Sequence, residues 1–264
     1  MRVLFHFEAG PALNAKLHKL VEQGLSVDVV GGHDVDRFAN LLRDAEVFWH
    51  VLNPITEEII RSAPKLRLIQ KIGVGVNTID LDAAKQADIA VCNMPGTNSR
   101  AVAEMALTLM LGAVRRIAFL DRETRAGKWH LPPDIQGNIG EVHGRTIGFF
   151  GYGGVPKILA PILRAIGARL IYTARSPKSE AEAEWRDFEG LLRESDIISL
   201  HAPLTSETHG VIDSKAIAAM KPGAIIVNTA RGELIDQAAF VAALSNGHLG
   251  AAGLDVFARE PVDK

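Results

Sequence analysis

The chain has 264 residues, of which 47% are hydrophobic and 23% charged, with 29 Lys and Arg against 31 Asp and Glu for a formal charge of -2. At about 150 residues per domain this suggests two globular domains, and the balance excludes a disordered chain, a coiled coil and a collagen-like repeat. Near-neutral charge gives no electrostatic reason to bind nucleic acid or an anionic membrane, and the one cysteine, Cys92, excludes an internal disulfide and a cysteine-rich metal site.

The N-terminal apolar run is short and broken by His6 and Glu8, so it does not read as a signal peptide. The most apolar stretch, 105–114, is about half of the ~20 residues that cross a bilayer. A soluble cytoplasmic protein is the expectation, and a single thiol suits a reducing compartment. Short β-rich runs follow at 3–7, 27–30, 47–49, 68–72 and 89–91, with amphipathic stretches at 12–22, 37–44 and 80–85 between them. This alternation predicts parallel strands with helices on both faces, in one α/β unit that closes at Pro95-Gly96.

Asn98 or Ser99 can cap a long helix reaching about residue 127. Its face of Ala103, Leu107, Met110, Leu111 and Val114 reads as core packing, with a subunit contact as the alternative. The polar, Gly- and Pro-rich stretch 129–144 reads as a connecting loop. A second α/β series then places strands at 146–150, 169–173, 196–200, 224–228 and 250–256. That makes five, against the six of an ordinary dinucleotide sheet.

The first of these strands runs into Gly151-Tyr152-Gly153-Gly154-Val155-Pro156. The first glycine suits a tight turn, the second lets backbone approach a pyrophosphate, and the helix that follows offers free N–H groups at its positive end. Pro156 stands where a third glycine is usual. It has no N–H and disfavours helical angles at Val155, so the helix is expected to start at Pro156. The next strand ends at Ala174-Arg175, where an NAD site usually has Asp or Glu on the ribose. Arg175 can pair with a 2′-phosphate, which favours NADP over NAD; the alternative is a solvated surface arginine.

Four further stretches complete the pattern: Lys71-Ile72-Gly73-Val74-Gly75-Val76-Asn77, Ser199 to Thr205 with its His-Ala-Pro, Asn228-Thr229-Ala230-Arg231-Gly232, and Leu254-Asp255-Val256-Phe257 with Glu260-Pro261. Together with the Gly151 loop and Gly127-x-Trp129, the chain resembles the D-isomer-specific 2-hydroxyacid dehydrogenases, whose members include phosphoglycerate dehydrogenase and glyoxylate/hydroxypyruvate reductase. The resemblance runs over essentially the whole chain. It implies two doubly wound α/β domains with the active site in their cleft: a flavodoxin-like substrate domain over 1–96 and an NAD(P)-binding Rossmann domain over 97–264. The reaction implied is hydride transfer between a nicotinamide and carbon 2 of a small 2-oxo or 2-hydroxy acid such as glyoxylate or hydroxypyruvate.

Residue by residue, the resemblance implies that Arg231 grips the substrate carboxylate and carbonyl oxygen while backbone amides at Val74 and Gly75 hold the carboxylate. Gly151, Gly153, Gly154, Val155, Arg175, Pro203, Thr208, Thr229, Ala230 and Asp255 would line the cofactor, and Glu260 would orient a catalytic histidine. No metal is implied, and a homodimer built around the helix from Asn98 is. In the family the acid–base histidine lies in a Pro-His segment after Glu260-Pro261, a place none of the nine histidines occupies. The expectation is therefore a C-terminally shortened member whose second domain lacks its last strand and closing helix. A non-catalytic nucleotide-binding member is the alternative.

Overall fold

Two parallel sheets organise the chain, each in its own unit, Met1–Asn98 and Ser99–Lys264. The computed structural model describes residues 1–130, 133, 135 and 139–262. In the first unit β1 (Arg2–His6), β2 (Ser26–Val30), β3 (Val47–His50), β4 (Leu68–Lys71) and β5 (Ala90–Cys92) lie in the order β2-β1-β3-β4-β5. All neighbours are parallel, as the alternation with helices predicts. Leu4, Phe48 and Ile69 alternate onto one face and pack beneath Leu42, Ile60 and Ala84. Those three come from helices α2 (Val35–Leu42), α3 (Glu57–Arg61) and α4 (Leu81–Gln86), which follow α1 (Pro11–His18). Each of the three starts on a side-chain cap: Asp34, Thr56 and Asp80 accept from the amides of Arg37, Ile59 and Ala83.

The second unit opens with α5 (Ser99–Val114) and α6 (Ile117–Arg125), and continues through β6 (Thr146–Phe150), α7 (Gly154–Ala165), β7 (Arg169–Thr173) and β8 (Glu184–Trp185). Then come α8 (Phe188–Glu194), β9 (Ile197–Leu200), α9 (Ser214–Ala219), β10 (Ala224–Asn228), α10 (Gln237–Ser245) and β11 (Leu249–Leu254). The parallel order β8-β7-β6-β9-β10-β11 is the doubly wound nucleotide-sheet order, with the winding reversing between β6 and β9. One core cluster joins α5 and α7 to the sheet through Met110, Phe149 and Leu159, and a second joins α8, α9 and α10 through Leu191, Ile217 and Phe240.

Several sequence expectations need correction. Among the described residues the sheet of the second unit has six strands, not five, because Glu184–Trp185 adds an exposed edge strand beside β7. The final strand ends at Leu254, although the Asp255 amide still donates to the Asn228 carbonyl at 3.0 Å. The long helix breaks at Arg116, whose φ of 53° is left-handed. The break comes where the buried stripe runs out: Ala103, Ala106, Met110 and Val114 are buried, whereas α6 has no buried residue. Packing no longer holds the backbone straight there, and an adverse φ of about 1–2 kcal/mol is tolerated. The stripe itself packs in the core. Finally, α7 starts at Gly154, capped by Gly153, with Pro156 buried in the first turn. First-turn N–H groups have no intrahelical partner, so a proline there forfeits no bond. The loop expected at 129–144 falls in part outside the described residues.

Candidate active site

In the first unit the carboxyl ends of β1, β3 and β4 bring His6, His50 and Lys71 into register. The Lys71 ammonium donates to the Val51 carbonyl, tying the loop after β3 to β4. In the loop after β4, the Gly73 carbonyl accepts from the Met94 amide at 2.9 Å and the Val74 carbonyl from Asn93 Nδ2 at 2.7 Å. The amides of Val74 and Gly75 have no partner among the described residues. Val74 is exposed. Two neighbouring free N–H groups on a loop whose carbonyls are engaged can receive an anion.

His50 is fully buried, with Nε2 2.7 Å from Thr78 Oγ1 and Nδ1 unpartnered among the described residues. Burial first, then the charges of Lys71 and His6, push its pKa from 6.5 down to about 4. An unfolded chain keeps the ordinary value and takes up the proton first as pH falls. The stability that neutral His50 permits is therefore complete above pH 6.5 and is withdrawn between there and about 4. In His50→Gln, which keeps a hydrogen-bonding side chain, the fall in Tm across that window is expected to be smaller than in the parent. Circular dichroism melts at the two ends of the window check this, and equal falls would contradict it.

In the second unit the candidate residues stand at the carboxyl ends of β6, β7, β9, β10 and β11, where open α/β sheets receive ligands. Gly151 has φ 93°, and a Cβ there would lie 2.9 Å from the Ala202 amide nitrogen. Only glycine fits so close beneath the turn after β9. A Cβ on Gly153 would meet nothing within 4 Å, and one on Gly154 would lie 2.9 Å from Ser99 Oγ. The open space is thus at the second glycine, before the free N–H groups of Gly154 and half-buried Val155. Arg175 is exposed just past β7 and has no ion pair or hydrogen bond among the described residues. Exposed Pro203 accepts at 2.7 Å from Thr208 Oγ1, which itself accepts the Thr205 amide at 2.8 Å.

The turn after β10 is shaped by one side chain. Asn228 is fully buried; its Nδ2 donates to the Arg231 carbonyl at 2.8 Å, and its Oδ1 accepts from the Ala230 amide at 3.0 Å. Thr229 is held with Oγ1 buried and unpartnered among the described residues. Arg231 extends from the turn, with Nη1 2.5 Å from the Ala230 carbonyl. Gly232 packs against the backbone of Phe257 and Ala258. The Asp255 side chain is exposed. Glu260 Oε1 accepts from the Phe257 amide at 2.9 Å, so this carboxylate caps a turn, and among the described residues no histidine reaches it. His201 pairs with Ser199 Oγ at 2.8 Å, and burial pushes its pKa down to about 3. It is neutral at working pH, and its polar contact is already made.

These features suit a dinucleotide: a glycine opening at a helix start, an orphaned buried hydroxyl at Thr229 and the Arg175 guanidinium, which has no partner among the described residues. Among the described residues no three His, Cys, Asp or Glu side chains gather as a metal site, and no helix is long and apolar enough to cross a membrane. Sequence reasoning missed the Lys71 tie. Its signal was a lysine ending the run Leu68-Ile69-Gln70 on the face that carries Ile69.

The model of the D-isomer specific 2-hydroxyacid dehydrogenase NAD binding domain matches residues 107–264. A glyoxylate reductase of Thermococcus litoralis is 40% identical over 220 residues, covering 80% of this chain and 66% of that protein. A D-3-phosphoglycerate dehydrogenase of Mycobacterium leprae is 41% identical over 211 residues, covering 78% of this chain and 39% of that protein. The matched region thus spans between about two fifths and two thirds of these relatives' length. Among solved structures, an NAD-dependent formate dehydrogenase of Staphylococcus aureus in complex with NAD superposes with a TM-score of 0.90 at 28% identity, over 100% of this chain and 83% of that one.

Proposed function

We propose a function from one premise: the chain belongs to the D-isomer-specific 2-hydroxyacid dehydrogenase family. The reading is hydride transfer between NADP(H) and carbon 2 of a small 2-oxo or 2-hydroxy acid, of the size of glyoxylate or hydroxypyruvate. Residues 1–96 serve the acid and 97–264 the dinucleotide. The observation that carries it is the turn after β10, where buried Asn228 holds Arg231 beside the orphaned Thr229 hydroxyl. A planar guanidinium bonds two oxygens at once, which suits an acid that carries a carboxylate next to a carbonyl.

When bound, a reduced nicotinamide supplies the hydride. The protein's part is to orient and to stabilise charge. Arg231 donates to the carbonyl oxygen and stabilises the negative charge that grows there. The amides of Val74 and Gly75 are the first unit's donors for a carboxylate. Gly151, Gly153, Gly154 and Val155 admit a pyrophosphate at the start of α7, with Pro203, Thr208, Thr229, Ala230 and Asp255 flanking the dinucleotide. Arg175 takes a 2′-phosphate, and no carboxylate ends β7 to repel it. A homodimer in the cytoplasm completes the reading, its pairing supported by Met105, Ile117 and Trp129, which stand exposed on and after α5.

One observation favours a second reading, a nucleotide-binding protein without turnover: Glu260 is occupied with the Phe257 amide and meets no histidine among the described residues. The decay of reduced-nicotinamide absorbance, with glyoxylate or hydroxypyruvate as substrate and with NADPH or NADH as cofactor, separates the two. Consumption supports the reductase. Tight NADPH binding without consumption, even after a histidine-bearing segment is added beyond Lys264, supports the binding protein.

Arg175→Ala is expected to raise the Kd for NADPH by about 10- to 100-fold, the worth of one charge-assisted contact, and to raise that for NADH far less. Fluorescence titration with both cofactors checks it, and an unchanged NADPH affinity would return Arg175 to an ordinary surface residue.

A further inference from the structure

The only two tyrosines of the chain, Tyr152 and Tyr172, sit with ring centroids 4.6 Å apart, and both are buried. Tyr152 is the middle residue of the Gly151–Gly153 turn, and Tyr172 is the penultimate residue of β7. Neither has a part in the chemistry above. Their hydroxyls both turn to the segment between β7 and β8. The Lys178 amide donates to the Tyr172 hydroxyl at 2.6 Å, and that hydroxyl faces the Lys178 carbonyl at 3.4 Å. The Glu182 amide donates to the Tyr152 hydroxyl at 3.0 Å.

These two bonds differ in kind from the segment's other ties. Lys157–Glu180 and Arg164–Glu182 are ion pairs with every partner about half exposed, and such pairs contribute little; the Arg164 guanidinium also donates to the Glu182 carbonyl at 2.8 Å, a bond made at the exposed surface. The tyrosine bonds are made at buried rings, where water cannot replace them cheaply. The strand end is fixed too: Thr173 accepts from the Gly151 amide at 2.9 Å, and Ala174 accepts from Trp185 Nε1 at 3.3 Å. The stretch from Ala174 to Lys178 is thus clamped at both ends, and between them lies Arg175.

We infer that Tyr152 and Tyr172 are positioning residues for cofactor selectivity: their hydroxyls pre-set the backbone that presents Arg175 to a 2′-phosphate. This rests on the reading of Arg175 given above. An arginine held by its backbone alone loses less freedom on binding when that backbone is already fixed. NADH, which has no 2′-phosphate, gains nothing from the clamp.

The test is fluorescence titration of the 264-residue chain with NADPH and with NADH, for the parent, Tyr172→Phe, Tyr152→Phe, the double variant and Arg175→Ala. Phenylalanine keeps the buried ring and removes only the hydroxyl, and melts confirm that each variant is folded. The expected result is a rise in the NADPH Kd of roughly three- to tenfold for Tyr172→Phe, larger in the double variant, with the NADH Kd moving less than about twofold. A purely structural role would weaken both cofactors alike, and that result overturns the inference. So does an unchanged NADPH-to-NADH ratio in both tyrosine variants when Arg175→Ala abolishes the preference. If Arg175→Ala leaves the ratio untouched, or if neither cofactor binds the parent, the reading of Arg175 falls and this inference with it.

Discussion

Arg231→Ala is expected to lower kcat/KM for glyoxylate by at least about 10²–10³, the cost of removing one donor to a developing oxyanion. The loss should appear in kcat as well as KM, because the guanidinium meets more charge in the transition state than in the ground state. The turn should survive the change. Asn228 Nδ2 bonds the backbone carbonyl of residue 231, and the Asn228 Oδ1 bond goes to the amide of residue 230, so neither depends on the guanidinium. Tm is accordingly expected to move little. Arg231→Lys keeps the charge but not the two-pronged geometry, and should recover only a small part of the rate. The comparison is made on a chain that turns glyoxylate over, extended beyond Lys264 with a histidine-bearing segment if the 264-residue chain does not. Near-parental turnover in Arg231→Ala would remove the assignment of substrate to this arginine.

Arg231 is singled out in the sequence by the resemblance that Asn228-Thr229-Ala230-Arg231-Gly232 carries, and the structure adds the turn in which it stands. In the structure Asn228 ends the apolar strand β10, and its buried amide leaves few conformations for the residues after it. The Gly151 turn shows in the sequence as a G-x-G between a strand and a helix, and the structure supplies the reason: φ 93° and a backbone neighbour 2.9 Å from the Cβ position can be met only by glycine. The parallel strands of both units show as apolar runs of three to six residues, since both sheet faces are covered. What failed to show was set by tertiary context. A strand of two exposed residues, Glu184–Trp185, has no period to read. The break at Arg116 carries no Gly or Pro signal, since only the end of the buried stripe decides it. Pro156 suggests a helix start at its own position through its effect on Val155, yet the helix starts two residues earlier and Pro156 sits in a first turn that has no bond to lose. The two tyrosine hydroxyls bond backbone amides 6 and 30 residues away, a distance at which spacing says nothing.

Gly232 makes the sharpest demand of any glycine in the second unit, and it links the substrate turn to the Asp255–Glu260 segment. A Cβ at this position would lie 2.0 Å from the Phe257 carbonyl carbon, 2.2 Å from the Ala258 nitrogen and 2.3 Å from the Phe257 oxygen. All three are backbone atoms, so no rotamer change can relieve the overlap. The segment cannot simply slide away, because the Asp255 amide is bonded to Asn228 and the Phe257 amide to Glu260. Gly232→Ala is therefore expected to cost about 1–3 kcal/mol through overpacking, seen as a Tm several degrees lower. It should also reduce NADPH affinity and turnover together, since the displaced backbone carries Asp255 on one side and abuts Arg231 on the other. Gly112→Ala is the reference. Gly112 lies within α5, its Cβ would meet nothing within 4 Å, and its φ is not left-handed. That substitution should stabilise by about 0.5–1 kcal/mol through helix propensity. Calorimetric melts of the two variants beside the parent give opposite signs if the glycine at 232 is there for close approach. A Gly232→Ala chain that melts like the parent would mean that the 257–258 backbone yields freely, and would uncouple Glu260 from the arginine turn.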